Sequence, residues 1–160
     1  MDLWKPSVTV AAVVVRDGRY LMVEEHTREG VRLNQPAGHL DPGESLEQAC
    51  VREALEETAH RVRPRACVGV YLGRYRHPGD GTDVTYLRFA FDCEPLAFEP
   101  ARALDEGIVR ALWMPPDEIR ARVAEHRSPL VLETLDDHLA GRRFDLAFLR
   151  THPDCLDDRA

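Results

Sequence analysis

The chain has 160 residues, a length that suits one domain with a real hydrophobic core, and we treat residues 1–160 as that domain. Its formal net charge of −7 argues against nucleic acid as a partner, because binding along a phosphate backbone requires a basic surface. The sequence contains no apolar run long enough to cross a membrane. Its N-terminal MDLWKPSVT lacks the basic and apolar regions of a secretion signal.

The first third of the chain predicts strands followed by a helix. Residues 7–15 are β-branched and apolar, as in a buried strand, and Asp17-Gly18 is a hairpin signal before a partner strand at residues 20–25. Residues 31–35 form a short extended piece before a proline. A helix is expected over residues 45–58, with Ser45 as its N-cap and Gln48 able to complete a capping box.

The rest of the chain predicts a second group of strands and two more helices. The predicted elements are one or two strands over residues 61–75, a turn over 77–83, a return strand over 84–93, an irregular acidic loop over 94–107, a strand over 108–114, a helix from Pro116 to about His126 and a helix from Ser128 to about Ala140. Together they give a mixed sheet with three helices.

Three glutamates of the first helix share one face. Glu53, Glu56 and Glu57 stand at i, i+3 and i+4, in the last turns, where the helix dipole disfavours negative charge. Like-charge neighbours and negative charge near the helix C-terminus both destabilise an isolated helix. Residues that break such local rules tend to mark a functional site. Converging carboxylates suit a hard divalent cation such as Mg²⁺. The alternative is a solvated helix face on which Arg52 pairs with Glu56.

The segment before this helix favours the functional interpretation. Gly38 and Gly43 bracket a tight loop, His39-Leu40-Asp41-Pro42, and Glu44 follows it. A glycine-containing loop that leads into a helix lets the backbone come close to a ligand or metal.

The segment resembles the Nudix box, G-x5-E-x7-R-E-U-x-E-E-x-G-U, in which U is a bulky apolar residue. The glycine at its start and all its charged positions are matched at the right spacing, by Gly38, Glu44, Arg52, Glu53, Glu56 and Glu57. Three positions depart from the pattern: Ala54 is small for a U position, Ala59 replaces the closing glycine and His60 replaces the last apolar residue. Ala59 predicts a different exit from the helix, because glycine favours the left-handed conformation found there.

The Nudix resemblance implies an α/β/α sandwich with a mixed central sheet and a loop–helix catalytic motif. It implies Mg²⁺ as cofactor, with Mn²⁺ as an alternative, and these ligands: the Ala37 carbonyl, Glu53, Glu56 and Glu57. Arg52 and Glu44 match an ion pair that orients the glutamates. Members of the family often take an extra ligand or base from the loop that here carries Asp105 and Glu106. We choose Glu106, and a solvated acidic loop is the alternative.

The runs VTVAAVVV, NQPAGHL, LRFAFDC and RSPLV resemble, within that family, the NudJ-type bacterial phosphatases. This likeness implies water attack on phosphorus in nucleoside di- and triphosphates and thiamine-type diphosphates, with release of orthophosphate. One alternative is a pyrophosphohydrolase acting on ADP-ribose or nucleoside triphosphates. The other is a non-catalytic diphosphate-binding module.

Further expectations concern location, partners and single residues. Four cysteines without CxxC spacing favour free thiols in a cytoplasmic protein, and the expected partner is a small-molecule diphosphate, bound by a monomer or homodimer. His60 is expected to be exposed or to cap the helix end. Three tyrosines could stack on a base or a pyrimidine ring, but their strand spacing favours the core: Tyr71, Tyr75 and Tyr86. Arg127 is a candidate cation near substrate phosphates.

Overall fold

The structure, a computed structural model, describes residues 3–77 and 79–157. The first two residues of the N-terminal segment, Pro78 of the expected turn, and residues 158–160 lie outside the described residues. None of the helices in the described ranges is long and apolar enough to span a membrane.

Strands precede and follow one long helix in the described part of the chain. The elements, in chain order, are β1 (Ser7–Arg16), β2 (Arg19–Thr27), β3 (Gly30–Asn34), β4 (Ala37–His39), α1 (Leu46–Thr58), β5 (His60–Arg76), β6 (Asp83–Phe98), β7 (Ile108–Met114), α2 (Pro116–Ala121), a 3₁₀ turn (Val123–Glu125), α3 (Leu130–Leu139) and two further 3₁₀ turns (Leu146–Phe148 and Pro153–Cys155).

The strands form one mixed sheet in the order β3-β2-β1-β6-β5, with β4 on β1 and β7 on β2. β1 runs parallel to β6, while the other pairs are antiparallel. The β1–β2 hairpin turns at Asp17 and Gly18, whose φ angles of 51° and 72° fit the turn that an Asp-Gly pair favours. The mixed sheet expected from the sequence is confirmed.

The alternating side chains of β1 fill two cores on opposite faces of the sheet. Val10, Ala12 and Val14 pack in a core with buried residues of α1, whereas Ala11 and Val13 pack in a core with buried residues of α3. The sheet therefore lies between helices, as the predicted α/β/α sandwich requires. This placement fixes α1, with its glutamates, against one face of β1.

Local rules set both ends of α1. The Ser45 side chain accepts a hydrogen bond from the Gln48 N–H, and the Gln48 side chain accepts one from the Ser45 N–H, so the expected capping box is present. At the other end Ala59 adopts the left-handed conformation, with φ 57° and ψ 19°, and its N–H donates to the Leu55 carbonyl. The expected different exit is therefore wrong, since alanine takes the conformation that glycine normally supplies.

His60 is buried, not exposed as one of the two expectations had it. Its ring stacks on Phe98, with centroids 4.6 Å apart, and meets the edge of Trp113 at 5.4 Å. Nδ1 lies 2.8 Å from the carbonyl oxygen of Thr58, so the ring also caps the helix end, as the other expectation held. Burial lowers the pKa of this imidazole. The neutral ring thus fills the apolar position of the box.

Some element bounds differ from the expectations. β6 continues to Phe98, where residues 94–107 were expected to form a loop, because Glu94 to Phe98 keep pairing with β5. The helix that starts at Pro116 leaves the α conformation after Ala121. The last helix begins at Leu130, whose N–H donates to the Ser128 side chain. The cysteines are free, as expected: Cys50, Cys67, Cys93 and Cys155.

The segment after α3, for which the sequence suggested no role, lies along the α1 side of the sheet. Phe144 exchanges two backbone hydrogen bonds with Cys67 of β5, and two leucines further on, Leu146 and Leu149, pack against the core beneath α1. At its end the Asp157 N–H donates to the Gly43 carbonyl at 3.0 Å. The segment therefore joins the edge of the sheet to the loop that precedes α1.

We expect Ala59→Gly to raise the free energy of unfolding by about 1 kcal/mol, because the left-handed conformation is strained for alanine and not for glycine. Urea denaturation measures the change. Ala54→Gly is the matched control on the same helix, and it should lower the free energy, since Ala54 has helical neighbours on both sides and is fully buried. A loss of stability in Ala59→Gly would contradict this account of the helix end.

Candidate active site

A cavity of about 760 Å³ opens beside the glutamates of α1. Glu53 and Glu57 line it from the helix, and Ala37 and Gly38 line it from β4. The β5–β6 hairpin and the start of α3 supply further walls. The segment that was picked out by its charge pattern therefore faces the cavity.

Arg52 connects the loop before α1 to the glutamates on it. Its Nε and Nη2 donate to the two carboxylate oxygens of Glu44 at 2.9 and 2.7 Å, which is the bidentate geometry preferred by guanidinium. Nη1 donates to Glu53 at 2.7 Å and to Glu56 at 3.1 Å, and Nη2 also donates to the His39 carbonyl. These bonds raise the pKa of Arg52, with Glu44 the largest cause. Arg52 and Glu44 thus form the ion pair that the box predicted.

Glu57 is the most perturbed carboxylate of the cavity. Its pKa is raised to about 8, chiefly by burial and also by the nearby charges of Glu25, Glu53 and Asp105, against one hydrogen bond that lowers it. That bond runs from the Ala37 N–H to Glu57 Oε2 at 2.9 Å. Burial also raises the pKa of Glu53, although Arg52 opposes the shift. The ionised forms of these two carboxylates are therefore less stable in the folded protein than in water.

Gly38 is required by the position of Glu53. A Cβ added at residue 38 would lie 2.1 Å from the carboxyl carbon of Glu53, so any other residue would push the carboxylate aside. The first glycine of the box thus has a steric reason: it lets the backbone of β4 pass directly under the Glu53 carboxylate.

Two of the three predicted glutamates reach the cavity. Glu56 is not on its wall and is bonded to Arg52 instead. In the part of the chain that the structure describes, no group of three or more His, Cys, Asp or Glu side chains is gathered tightly enough to hold a metal ion. Two carboxylates nevertheless fit Mg²⁺, which commonly takes one or two from the protein and completes its shell with water and substrate phosphate.

In the acidic loop before β7, Asp105 interacts with the site through its charge and its backbone. The charge of Asp105 raises the pKa of both Glu53 and Glu57, and its N–H donates to the Glu56 carbonyl at 3.0 Å. Asp105 and Glu106 are both exposed, and neither is on the cavity wall. The ligand role expected of Glu106 therefore remains a prediction, and Asp105 is the loop acid whose charge acts on the glutamates.

Glu25 is a cavity carboxylate that the sequence did not reveal. The pairing of β2 with β7 shifts register between Glu24 and Glu25, and such bulges redirect side chains. Glu24 bonds to Arg110 and Arg122, whereas Glu25 lines the cavity. Burial raises the pKa of Glu25, against the charge of a nearby arginine. A bulge depends on the partner strand, so strand periodicity alone gave no signal for it.

Aromatic and basic side chains complete the wall. Tyr75 and Tyr86 line the cavity, so the expectation that they are core residues is wrong, while Tyr71 is buried in the core as expected. Arg127 lines the cavity and lies 3.4 Å from the Glu25 carboxylate, as expected of a cation near the site. Arg88, also on the wall, was not singled out from the sequence.

The raised pKa of Glu57 predicts how stability changes with pH when no metal is present. Because the folded protein binds this proton more tightly than the unfolded chain does, the free energy of unfolding should fall as the pH rises from about 4.5 to about 8. Glu57→Gln lacks this titrating group. Its free energy of unfolding should therefore rise relative to that of wild type as the pH increases over that range.

Urea denaturation at stepped pH in a chelating buffer measures the effect. Glu47→Gln is the matched control, because Glu47 lies in the first turn of the same helix and away from the cavity wall. Parallel profiles for wild type and Glu57→Gln would show that the Glu57 carboxyl is not perturbed.

Comparison with known proteins agrees with this geometry. The family model of the NUDIX domain matches residues 5–134. "Phosphatase NudJ" of Escherichia coli strain K12 is 35% identical over 148 residues, which cover 92% of each chain. A solved structure titled as a NUDIX hydrolase from Nitrosomonas europaea is 51% identical, with a TM-score of 0.85, and the match covers 92% of this chain and 98% of that one.

A more distant structure shows the same fold. It is titled as an ADP-ribose pyrophosphatase from Streptococcus suis and is 16% identical, with a TM-score of 0.63. The match covers 88% of this chain and 97% of that one. At that identity the likeness concerns the fold alone. The family match, the identity to the NudJ phosphatase and the glutamate-lined cavity agree, and the chain belongs to the Nudix family of hydrolases, which act on pyrophosphate bonds.

Proposed function

We propose that this protein is a Mg²⁺-dependent phosphatase that hydrolyses nucleoside di- and triphosphates and thiamine-type diphosphates and releases orthophosphate. The observation that carries the proposal is the pair of buried carboxylates, Glu53 and Glu57, on the wall of a cavity that also holds arginines. The identity to a protein named as a phosphatase supports orthophosphate as the product.

Glu53 and Glu57 are the residues we assign to the metal, with Glu56, the Ala37 carbonyl and Glu106 as the further ligands expected from the family. When bound, Mg²⁺ neutralises phosphate oxygens and activates a water molecule for attack on phosphorus. Glu57 would hold the ion with its carboxylate turned by the hydrogen bond that Oε2 accepts from the Ala37 N–H. Burial and, to a lesser extent, the charges of neighbouring carboxylates raise the pKa of Glu57, and a cation bound there would offset both effects.

Arg52 and Glu44 position these ligands. The bidentate Arg52–Glu44 pair fixes the guanidinium, whose remaining donor then sets the direction of the Glu53 carboxylate. Arg52 also holds Glu56, so Glu56 reaches an ion only by leaving this bond. We propose these two residues as orienting groups with no direct contact to the reacting phosphate.

The outer wall suits the organic part of the substrate. Tyr75 and Tyr86 present aromatic surface, Leu72 presents apolar surface, and Arg127 lies beside them at the start of α3. Aromatic rings accept a nucleobase or a thiamine ring by stacking, without dictating which. We further propose that the protein acts in the cytoplasm on such small diphosphates, as a monomer or homodimer.

The test is a product profile with Mg²⁺ on GTP, GDP, thiamine diphosphate and ADP-ribose, with orthophosphate and pyrophosphate measured separately. We expect orthophosphate from the first three substrates and no cleavage of ADP-ribose. Glu53→Gln should lower turnover about 100-fold or more, because a charged group that acts on the transition state is lost. Glu47→Gln, on the same helix and away from the cavity, should keep wild-type turnover.

The other outcomes identify the alternatives. Pyrophosphate from GTP, or cleavage of ADP-ribose, would keep the Nudix chemistry and replace the phosphatase by a pyrophosphohydrolase. Tight binding of these compounds without turnover would indicate a non-catalytic binding module. Full activity of Glu53→Gln would remove Glu53 from the site.

A further inference from the structure

Arg88 is a fully enclosed cation on the cavity wall. It lies on β6 between Thr9 of β1 and Tyr71 of β5, and only 4% of its surface is exposed. Placing a guanidinium in such surroundings is unfavourable unless its charge and its donors are satisfied. Burial accordingly lowers its pKa to about 10, which still leaves it protonated at neutral pH.

The donors of Arg88 are only partly satisfied. Nη2 donates to the Gln35 side chain at 2.6 Å, and Nη1 makes a long contact of 3.5 Å with the Asn34 side chain. Nε is buried and has no hydrogen-bond partner among the described residues. A guanidinium carries five N–H donors, so this one has capacity for an acceptor that the described part of the chain does not provide.

The two amides hold Arg88 without neutralising it. Gln35 is itself anchored, because its Nε2 donates to the Val131 carbonyl at 2.9 Å, while the Asn34 amide lies 3.4 Å from Glu25. The charges of Glu25 and Glu57 favour the protonated guanidinium from a distance, yet no carboxylate of residues 3–77 and 79–157 forms an ion pair with it within 4.0 Å. The described residues therefore leave Arg88 without a paired counter-charge.

We propose that Arg88 binds the terminal phosphoryl group of the substrate, the group released as orthophosphate. The inference rests on the proposed function and extends it to a phosphate subsite. A phosphate supplies both missing items, a negative charge and several acceptor oxygens, and guanidinium matches them with two donors at once. The group sits between Arg88 and the glutamates of α1, with the organic part of the substrate toward the tyrosines of the outer wall.

The enclosure of Arg88 gives the subsite its selectivity. A terminal phosphoryl group has one covalent connection, so it fits against a closed wall with its bridging oxygen turned outward. Each phosphorus in the diphosphate of ADP-ribose carries substituents on two sides and needs an opening at both ends. The buried position of Arg88 thus favours attack at the end of a phosphate chain and the release of orthophosphate.

The test is equilibrium binding of inorganic phosphate, measured by calorimetry in the presence of Mg²⁺, so that it does not depend on turnover. Arg88→Lys keeps the charge and removes the planar fork, and it should weaken phosphate binding about 10-fold or more. Mn²⁺ binding, measured without phosphate, should stay within about twofold of wild type, because the cation near Glu57 is retained. Arg74→Gln is the control, since Arg74 is an exposed arginine of the same cavity, paired with Asp83.

Each other result has a definite meaning. A merely structural Arg88 would lower Mn²⁺ and phosphate affinity together in Arg88→Lys, and that outcome would overturn the proposal. Unchanged phosphate affinity, or wild type that binds no phosphate, would do the same. If wild type binds phosphate through Arg88 and releases no orthophosphate from any substrate, the subsite stands and the proposed function fails.

A measurement on wild type covers the case in which the variant does not fold. In protein labelled with ¹⁵N-arginine, the Nε–H signal of a buried arginine should shift when inorganic phosphate is added. The signal is assigned to Arg88 by its slow exchange with water, which follows from its burial. A protected Nε–H signal that does not respond to saturating phosphate would overturn the proposal.

Discussion

The site depends on the hydrogen bonds of one guanidinium. Arg52 binds both oxygens of Glu44 from the loop and, through its third donor nitrogen, two glutamates of the helix. These bonds fix the position of the loop relative to the helix, because the planar guanidinium group tolerates little rotation. The loop and helix held in this way lie at the cavity, where β4 passes under Glu53 and the C-terminal segment bonds to Gly43 of the same loop.

The same arrangement gathers more negative charge than the folded chain can neutralise. Burial raises the pKa values of Glu53, Glu57 and Glu25, and Asp105 adds charge beside the first two. Among residues 3–77 and 79–157, the positive charges that oppose it are those of Arg52, Arg127 and Arg88. Such a site is favourable when a cation or a proton is bound and unfavourable when it is empty, which is the behaviour expected of a metal-dependent hydrolase.

The sequence predicted those parts that local rules determine. The spacing of the box, the capping pair Ser45 and Gln48, the Asp-Gly turn and the alternation of β1 each depend on neighbours in the chain, and each is present. The predicted roles of the box residues in metal binding and catalysis remain predictions that the proposed experiments test.

The parts that sequence reasoning missed depend on tertiary pairing. Glu25 reaches the cavity through a bulge set by β7, and Arg88 reaches it through the parallel pairing of β6 with β1, which no local signal announces. His60 looked polar and proved to be a stacked, buried ring, because the contacts of Phe98 and Trp113 come from distant strands. The link of Asp105 to α1 was missed for the same reason, since it is a backbone hydrogen bond to Glu56 that the loop sequence does not announce. The ligand role of Glu106 remains a prediction.

The measurement that tests the central claim most directly is the binding of Mn²⁺, followed by electron paramagnetic resonance with Mg²⁺ as competitor. Wild type should bind the ion, Mg²⁺ should displace it, and Gly38→Ala should weaken binding about 10-fold, because the new methyl group displaces the Glu53 carboxylate. Glu133→Gln, which removes a carboxylate of α3 from the same cavity wall, should bind as wild type does. Equal Mn²⁺ affinity in wild type and Gly38→Ala would contradict the claim that this carboxylate is placed for a metal.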